Sequence, residues 1–421
     1  MKKHIAIAGA GPAGAATALL LARQGHRVTL IEQNIAFERV FRGEGLMPAG
    51  VAALHQMGLS EILASIPSRQ LDAWDFYVGG QRRMRVMEPK NAGLATHIVD
   101  QGALLGAMIE QAQPLPNFEF YPGWQVTGLL TDRSERINGI RATAQGHQTQ
   151  NFFADVVIAC DGRYSRLRKL AKLPMAHASA QFDVLWFKLP APASLARETP
   201  FVACLQPDRQ FAFYPSWDGR LQIGWIVEKK SHPLGGLAQL NTLNQSDWIE
   251  AFAPALPPEL AAHFRQHQNE LEGPIYLNVQ VGCCPQWSLP GLLLIGDAAH
   301  PMAPNRAQGI NMALRDAIVV ANHFAAAAAA PQAAGQAVEE TMPMETLLQA
   351  IQAERQPEIE AVQKMQLAEW RKVEFISRPG LPYLGFKAIA SLFGRFQFAQ
   401  NIWLHEQQGL REGVVPVQLK P

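Results

Sequence analysis

The run Leu292-Leu293-Leu294-Ile295-Gly296-Asp297 is an apolar strand that ends in a carboxylate. Such a strand end delivers an acid into the crevice where open α/β sheets bind ligands. Ala298 and Ala299 leave room for something large to approach, and Pro304, Gly309, Ile310 and Asn311 form a loop that opens a helix. Helix N-termini present amides suited to anionic groups. Far upstream, Gly9-Ala10-Gly11-Pro12-Ala13-Gly14 follows the short strand His4 to Ala8. There Gly9 permits a tight turn, Gly11 lets a pyrophosphate approach the backbone, and Gly14 lets helix and strand pack closely. Glu32 ends the next strand, 18 residues past Gly14, where an acid grips an adenosine ribose, and Gln33 follows it. A third strand, Ala154 to Ala159, runs into Cys160-Asp161-Gly162 and then a basic cluster, Arg163, Arg166, Arg168 and Lys169.

The elements that must position these groups read as α/β. A helix to Gln24 stopped by Gly25, and a strand from Arg27 to Ile31, complete a β-α-β unit. Arg42-Gly43-Glu44-Gly45 precedes a helix from Pro48 to Met57, and Arg42 is either a solvated loop charge or a cover for dinucleotide phosphates. His97 to Asp100 leads into a helix bearing Gln101, Leu104 and Met108 on one face, while Val126 to Thr131 and Ile137 to Ala144 read as a hairpin. From about Met175 to Gln286, aromatic-rich strand-like pieces dominate, interrupted by a helical portion from Gln245 to Gln268. The expected division is a discontinuous nucleotide-binding domain (1–70, 97–174 and 287–345), an antiparallel-sheet substrate domain (71–96 and 175–286), and a C-terminal helical extension (346–421).

Composition narrows the function classes. A hydrophobic fraction of 48% and a charged fraction of 17% over 421 residues describe a globular protein with an ample core. A net charge of +1 implies no nucleic-acid partner. The four cysteines show neither CxxC nor metal spacing, so a reducing, cytoplasmic setting and no metal are expected. The Met-Lys-Lys start is better explained by the Gly-rich turn behind it than by an export signal, and no apolar run is long enough to span a membrane.

Gly9–Gly14 with Glu32, Asp161-Gly162, and Gly296-Asp297 through Asn311 together resemble the flavin monooxygenases of the para-hydroxybenzoate hydroxylase type over roughly residues 1–370. The resemblance implies a Rossmann-like FAD domain of the glutathione-reductase type and non-covalent FAD. Gly9, Gly11, Pro12, Ala13 and Gly14 would then meet the pyrophosphate, Glu32 with Gln33 the ribose, and Arg42 and Gln101 the length of the FAD. The backbone at Val126 would meet adenine, Asp161 and Gly162 would serve FAD and nicotinamide, and Asp297 would bind the ribityl hydroxyls. Pro304, Gly309, Ile310 and Asn311 would wrap the isoalloxazine. The activity implied is NADH- or NADPH-dependent insertion of one atom of O2 into an aromatic or lipophilic molecule through a flavin C4a-hydroperoxide, by a monomer or homodimer. Relatives usually carry Gly where Ala307 stands, and a methyl there is tolerated if φ is negative.

Tyr214, His300 and Pro304 are the candidates for roles in the reaction itself. Tyr214 would orient or deprotonate a hydroxyl, and His300 is an acid-base group, a loop cap or a cover for the flavin edge. Trp186, Phe213, Tyr214 and Trp225 either form the substrate wall or simply pack between the layers. The chain has a single GxGxxG, which favours a transiently docked nicotinamide or a separate reductase. Arg42-Gly43-Glu44-Gly45-Leu46-Met47-Pro48 also has the flavour of isoprenoid reductases of the same fold, without their cysteine. A halogenase Trp-x-Trp signature is absent, and a non-catalytic FAD-binding role is the remaining alternative. The tail 375–404 is apolar with interspersed cations, so it either packs on the FAD domain or touches a membrane surface.

Overall fold

A computed structural model describes residues 2–37, 43–90, 93–144, 148–178, 182–207, 209–229, 242–333 and 342–420. Its first layer is a six-stranded sheet in the order Ser288–Leu289, Leu292–Leu294, Val156–Ala159, His4–Ala8, Arg27–Glu32, Phe118–Pro122. All neighbours run parallel except the edge hairpin Ser288–Leu289 with Leu292–Leu294. The central strands are buried on both faces, which is why they read as unbroken apolar runs rather than alternating ones. The helices Pro12–Arg23, Gln101–Ala112 and Gln308–Ala333 pack together as one cover, and the three-stranded sheet of Trp124–Thr131, Ile137–Ala144 and Thr149–Phe153 packs on Arg27–Glu32 and Val156–Ala159.

Parallel register does the positioning. Ala8 pairs with Ile31 and Ala159, and Ala159 pairs with Leu294. The chain therefore leaves the sheet at Gly9, Asp161 and Gly296-Asp297 along one carboxyl edge, with Glu32 beside them. Motifs hundreds of residues apart become neighbours because strand direction and register leave no other place for them.

The second layer is a seven-stranded sheet that pairs Ala73–Val78 and Gln81–Met87 with strands from Phe182 to Leu277. It is antiparallel except where Ala73–Val78 runs parallel to Pro200–Gln206, in keeping with a mostly antiparallel sheet. Strand parity divides its side chains. Phe187, Phe213, Ile223 and Trp225 face the helices Gln245–Phe252 and Pro258–Gln266, where Trp248, Phe252 and Phe264 complete a second core. Phe213 and Trp225 are fully buried there, so they belong to packing and not to a substrate wall. Trp186, adjacent in sequence to Phe187, falls on the other face and packs with Phe182, Val184 and Trp370.

The C-terminal portion is helical, with helices Met344–Ile376, Leu381–Phe393 and Gln397–Glu412. Among the described residues no helix is long and apolar enough to cross a membrane, and no group of side chains could hold a metal ion.

Candidate active site

The Gly-rich turn is built by steric necessity. Gly9 has φ +95°, and a Cβ on it would lie 2.5 Å from the carbonyl oxygen of Cys160. A Cβ on Gly14 would lie 1.8 Å from the carbonyl oxygen of Gly9. Gly11 caps the helix Pro12–Arg23, whose N-terminus carries no side-chain cap, with Pro12 in its first turn. Ala13 lies beneath Gly296, where a Cβ would stand 3.0 Å from its methyl. Glu32 is buried. One carboxylate oxygen accepts from the amide of Ala10 at 2.8 Å and the other from the amide of Asn34 at 3.0 Å. The second of these oxygens also accepts from the Asn34 side-chain amide at 2.7 Å, so the oxygen facing Ala10 is the one that keeps a lone pair for a ribose hydroxyl. Gln33 is exposed beside it.

Asp161 spends its carboxylate on its own loop, accepting from Ser165 Oγ at 2.5 Å and from the amides of Arg166 at 2.8 Å and Leu167 at 3.0 Å. It thereby satisfies the first two amides of the short helix Arg166–Leu170, whose N-cap is Ser165. Gly162 has φ +80° with open space beside it, and the carbonyl of Val126 accepts from Arg166 at 3.3 Å. Asp297 is partly exposed at the crevice, 3.7 Å from the Arg163 guanidinium and facing the helix start at Gly309. Gln101 Oε1 is buried without a partner among the described residues, while its amide donates to Gly43. Arg42 lies outside the described residues.

An uncapped helix N-terminus, an accessible acid at a strand end and an orphaned carboxamide oxygen fit FAD. The cofactor, once bound, supplies the electron transfer and oxygen activation that no side chain can. The Asp297→Ala variant should hold FAD about tenfold or more weakly, because ribityl hydroxyls would lose a charge-assisted partner worth roughly 1–3 kcal/mol. Fluorescence titration of FAD into the stripped protein checks this, and wild-type affinity would contradict the placement.

The loop after Asp297 departs from the expectation in one respect. Ala307 has φ +49°, in the left-handed region, so its methyl is strained and not accommodated. Arg306 beside it has φ +60°. The strain is held by an external clamp. Arg306 donates to Glu369 at 2.9 and 2.6 Å, and its guanidinium lies 4.7 Å from the ring centre of Trp74 and 5.0 Å from that of Trp403. Gln366 donates to the carbonyls of Ala303 and Asn305. Ala307→Gly should therefore raise stability by up to about 1 kcal/mol, checked by thermal unfolding. A lower melting temperature would mean that the methyl's contact with Gly45 outweighs the strain.

Several residues have duties other than those expected. Asn311 is fully buried. Its Oδ1 accepts from the amide of Met47 at 2.9 Å and its Nδ2 donates to Ala307 at 2.7 Å, so its side chain staples the loop to the strand Gly45–Leu46. Ile310 belongs to the main core, and Pro304 accepts from the amide of Ala307 at 3.0 Å, closing the turn. His300 does not reach the crevice. It is 1% exposed, packs tilted against Trp287 and bonds Asp316 at 2.7 Å, because a buried carboxylate demands a partner. Burial pushes the Asp316 carboxyl upward, but His300 and Arg355 beside it overcome that and hold it at about 2. Tyr214 is also unsuited to act as a base. Burial first, then the neighbouring Glu44 carboxylate, pushes its phenol well above the ordinary tyrosine value.

Glu44, within Arg42-Gly43-Glu44-Gly45, takes no role from the sequence alone. Its side chain is buried at the seam between the two layers, and Ser216 Oγ donates to it at 2.7 Å. A carboxylate between glycines, next to an FAD-type motif, was the available signal. The Arg315-Asp316 pair within an apolar helix was the equivalent signal for the buried charge network.

A sequence model of the family described as "FAD binding domain" matches residues 2–363. The 6-methylpretetramide 4-monooxygenase of Streptomyces rimosus is 32% identical over 375 residues, covering 87% of this chain and 83% of that one. The chain belongs to this family of FAD-dependent monooxygenases. A squalene monooxygenase of Panax ginseng, also similar, is 27% identical over 75% of this chain, which spans only 57% of that longer protein. In solved structures the fold recurs in the p-nitrophenol 4-monooxygenase of Pseudomonas putida DLL-E4, with a TM-score of 0.73, 18% identity and 99% of both chains covered. This flavin monooxygenase thus uses FAD, with NAD(P)H as the reductant of its relatives.

Proposed function

We propose that this flavin monooxygenase hydroxylates an electron-rich aromatic molecule, largely apolar, held between the Pro304–Asn311 loop and the FAD-facing side of the second sheet. The reading is supported chiefly by the convergence of Gly9, Glu32, Asp161 and Asp297 on one sheet edge, roofed by a sheet whose Tyr214 and Trp186 face inward. The named activity of the Streptomyces relative, oxygenation of 6-methylpretetramide, points to the same chemical class. Enclosure of the seam keeps water from the reacting oxygen. Turnover with NADPH under labelled dioxygen tests it. One labelled oxygen atom in the product is expected, whereas anaerobic turnover that saturates a double bond would transfer the assignment to a reductase.

The tail supplies a route for such a substrate. Leu381 is 86% exposed, and Leu384, Ile389, Leu392, Phe396, Phe398 and Ile402 are also exposed on the last helices. Between Glu374 and Glu406 the chain has no acidic residue, while Arg378, Lys387 and Arg395 remain. An apolar face fringed only by cations suits an anionic membrane surface. Co-sedimentation with phosphatidylglycerol vesicles but not with phosphatidylcholine vesicles is the expected result, and Leu381→Ser with Leu384→Ser should abolish it.

A further inference from the structure

The side of the second sheet opposite its two helices carries a polar cluster. Tyr214 pairs directly with Gln222, and Gln222 with Lys188, so all three side chains share that face. Gln222 is 1% exposed, and its Oε1 has no partner among the described residues. Glu44 reaches the same cluster from the opposite layer. Its neighbour Gly45 lies so close to the flavin loop that a Cβ there would stand 2.8 Å from the Cβ of Ala307. Ser216, just beyond Tyr214, holds one Glu44 oxygen at 2.7 Å. A carboxylate oriented by Ser216, with Trp217 and Tyr214 also reaching it, and set beside the flavin loop is placed to take a proton from a hydroxyl group.

We propose that Glu44 is the general base that takes the proton from the substrate's ring hydroxyl, with Ser216 orienting the carboxylate. The assignment rests on the hydroxylase reading above. In the step, the substrate O–H bond breaks, the electron pair stays on oxygen and enriches the ring for attack on activated oxygen, and the proton ends on Glu44. Dioxygen and the nicotinamide-reduced cofactor supply the oxidant and electrons, as in the family reaction. The groups facing Glu44 are Ser216, Lys188, Asp218, Trp217 and Tyr214. Burial pushes its carboxyl up to about 7. The Ser216 hydrogen bond and Lys188 oppose that rise, Asp218 adds to it, and a hydrogen bond from Trp217 opposes it. A base of that strength accepts a phenolic proton near neutrality and releases it again after turnover.

The test uses FAD-loaded wild type, Glu44→Gln and Ser216→Ala, with p-nitrophenol as the probe. In wild type, bound p-nitrophenol should ionise with a transition displaced from that of the free ligand, read from its phenolate absorption. In Glu44→Gln that displacement should disappear, while FAD content is retained. With a hydroxylated substrate, kcat/KM of wild type should rise through about pH 7 to a plateau. Glu44→Gln should lose that limb and roughly a hundredfold in rate at the plateau. Ser216→Ala should keep the limb with a smaller loss, and a substrate methyl ether should bind all three proteins equally. Identical ionisation of p-nitrophenol in wild type and Glu44→Gln overturns the assignment of Glu44, as does failure of p-nitrophenol to bind. Glu44-dependent ionisation without any oxygenated product overturns the hydroxylase reading alone.

Discussion

Arg355→Ala is expected to lower the free energy of unfolding by roughly 3–5 kcal/mol, because it leaves buried carboxylates short of their counter-ion. Arg355 is fully buried in the helix Met344–Ile376. Its Nε donates to Asp316 at 2.7 Å and its Nη1 to Glu358, both of them inaccessible to solvent. Asp316 also accepts from the amide of Gly296 at 2.9 Å, so the network reaches the backbone that turns Asp297 into the crevice. The variant should therefore also bind FAD less tightly, although Arg355 belongs to none of the cofactor motifs. The acid limb of stability carries a further sign. The Asp316 carboxyl is held at about 2, against an ordinary 3.8. Its contribution, on the order of 2 kcal/mol, is fully present above pH 3.8 and is lost as pH falls through about 2. In Arg355→Ala the lowered value moves upward, so that loss should begin at a higher pH. Urea unfolding followed by circular dichroism from pH 2 to 7 measures both effects. Overlapping curves for the two proteins would show that the network contributes nothing.

Gly14→Ala should yield protein that is colourless or nearly so. The added methyl has no flexible neighbour to displace, since the atom 1.8 Å away is the carbonyl oxygen of Gly9. The helix Pro12–Arg23 must then lift from the strand His4–Ala8, carrying its N-terminal amides away from where a pyrophosphate would sit. Overpacking of this kind costs about 1–3 kcal/mol in stability, and the displaced amides should weaken FAD by at least about tenfold. Flavin absorbance of the purified variant, with denaturant midpoints for both proteins, checks the two parts separately. A fully yellow Gly14→Ala protein of unchanged stability would mean that the turn tolerates a shift the geometry forbids.

The residues with local duties were legible in the chain. Gly9 and Gly14 are dictated by a turn that closes within a few residues, and Glu32 by the end of a strand whose length the apolar run sets. The Asp161-Gly162 and Gly296-Asp297 motifs likewise carry their own backbone demands, with φ +80° at Gly162 and +59° at Gly296. Tertiary structure decided what happens across layers. Strand parity says that Phe213 and Tyr214 point oppositely, but only the packing of Trp248 and Phe264 says which of the two faces a core. The choice at His300 between an acid-base group and a loop cap or flavin-edge cover was open in the sequence, and Asp316, 16 positions on, meets it in the interior. Arg306 and Ala307 accept left-handed backbone only because Glu369 and two tryptophans grip the loop from elsewhere. Glu44 meets Ser216 across 172 positions, and its affinity for a proton comes from burial between two sheets. Spacing encodes backbone geometry over a turn or a strand, whereas the dielectric around a side chain is set by whatever the whole fold lays over it.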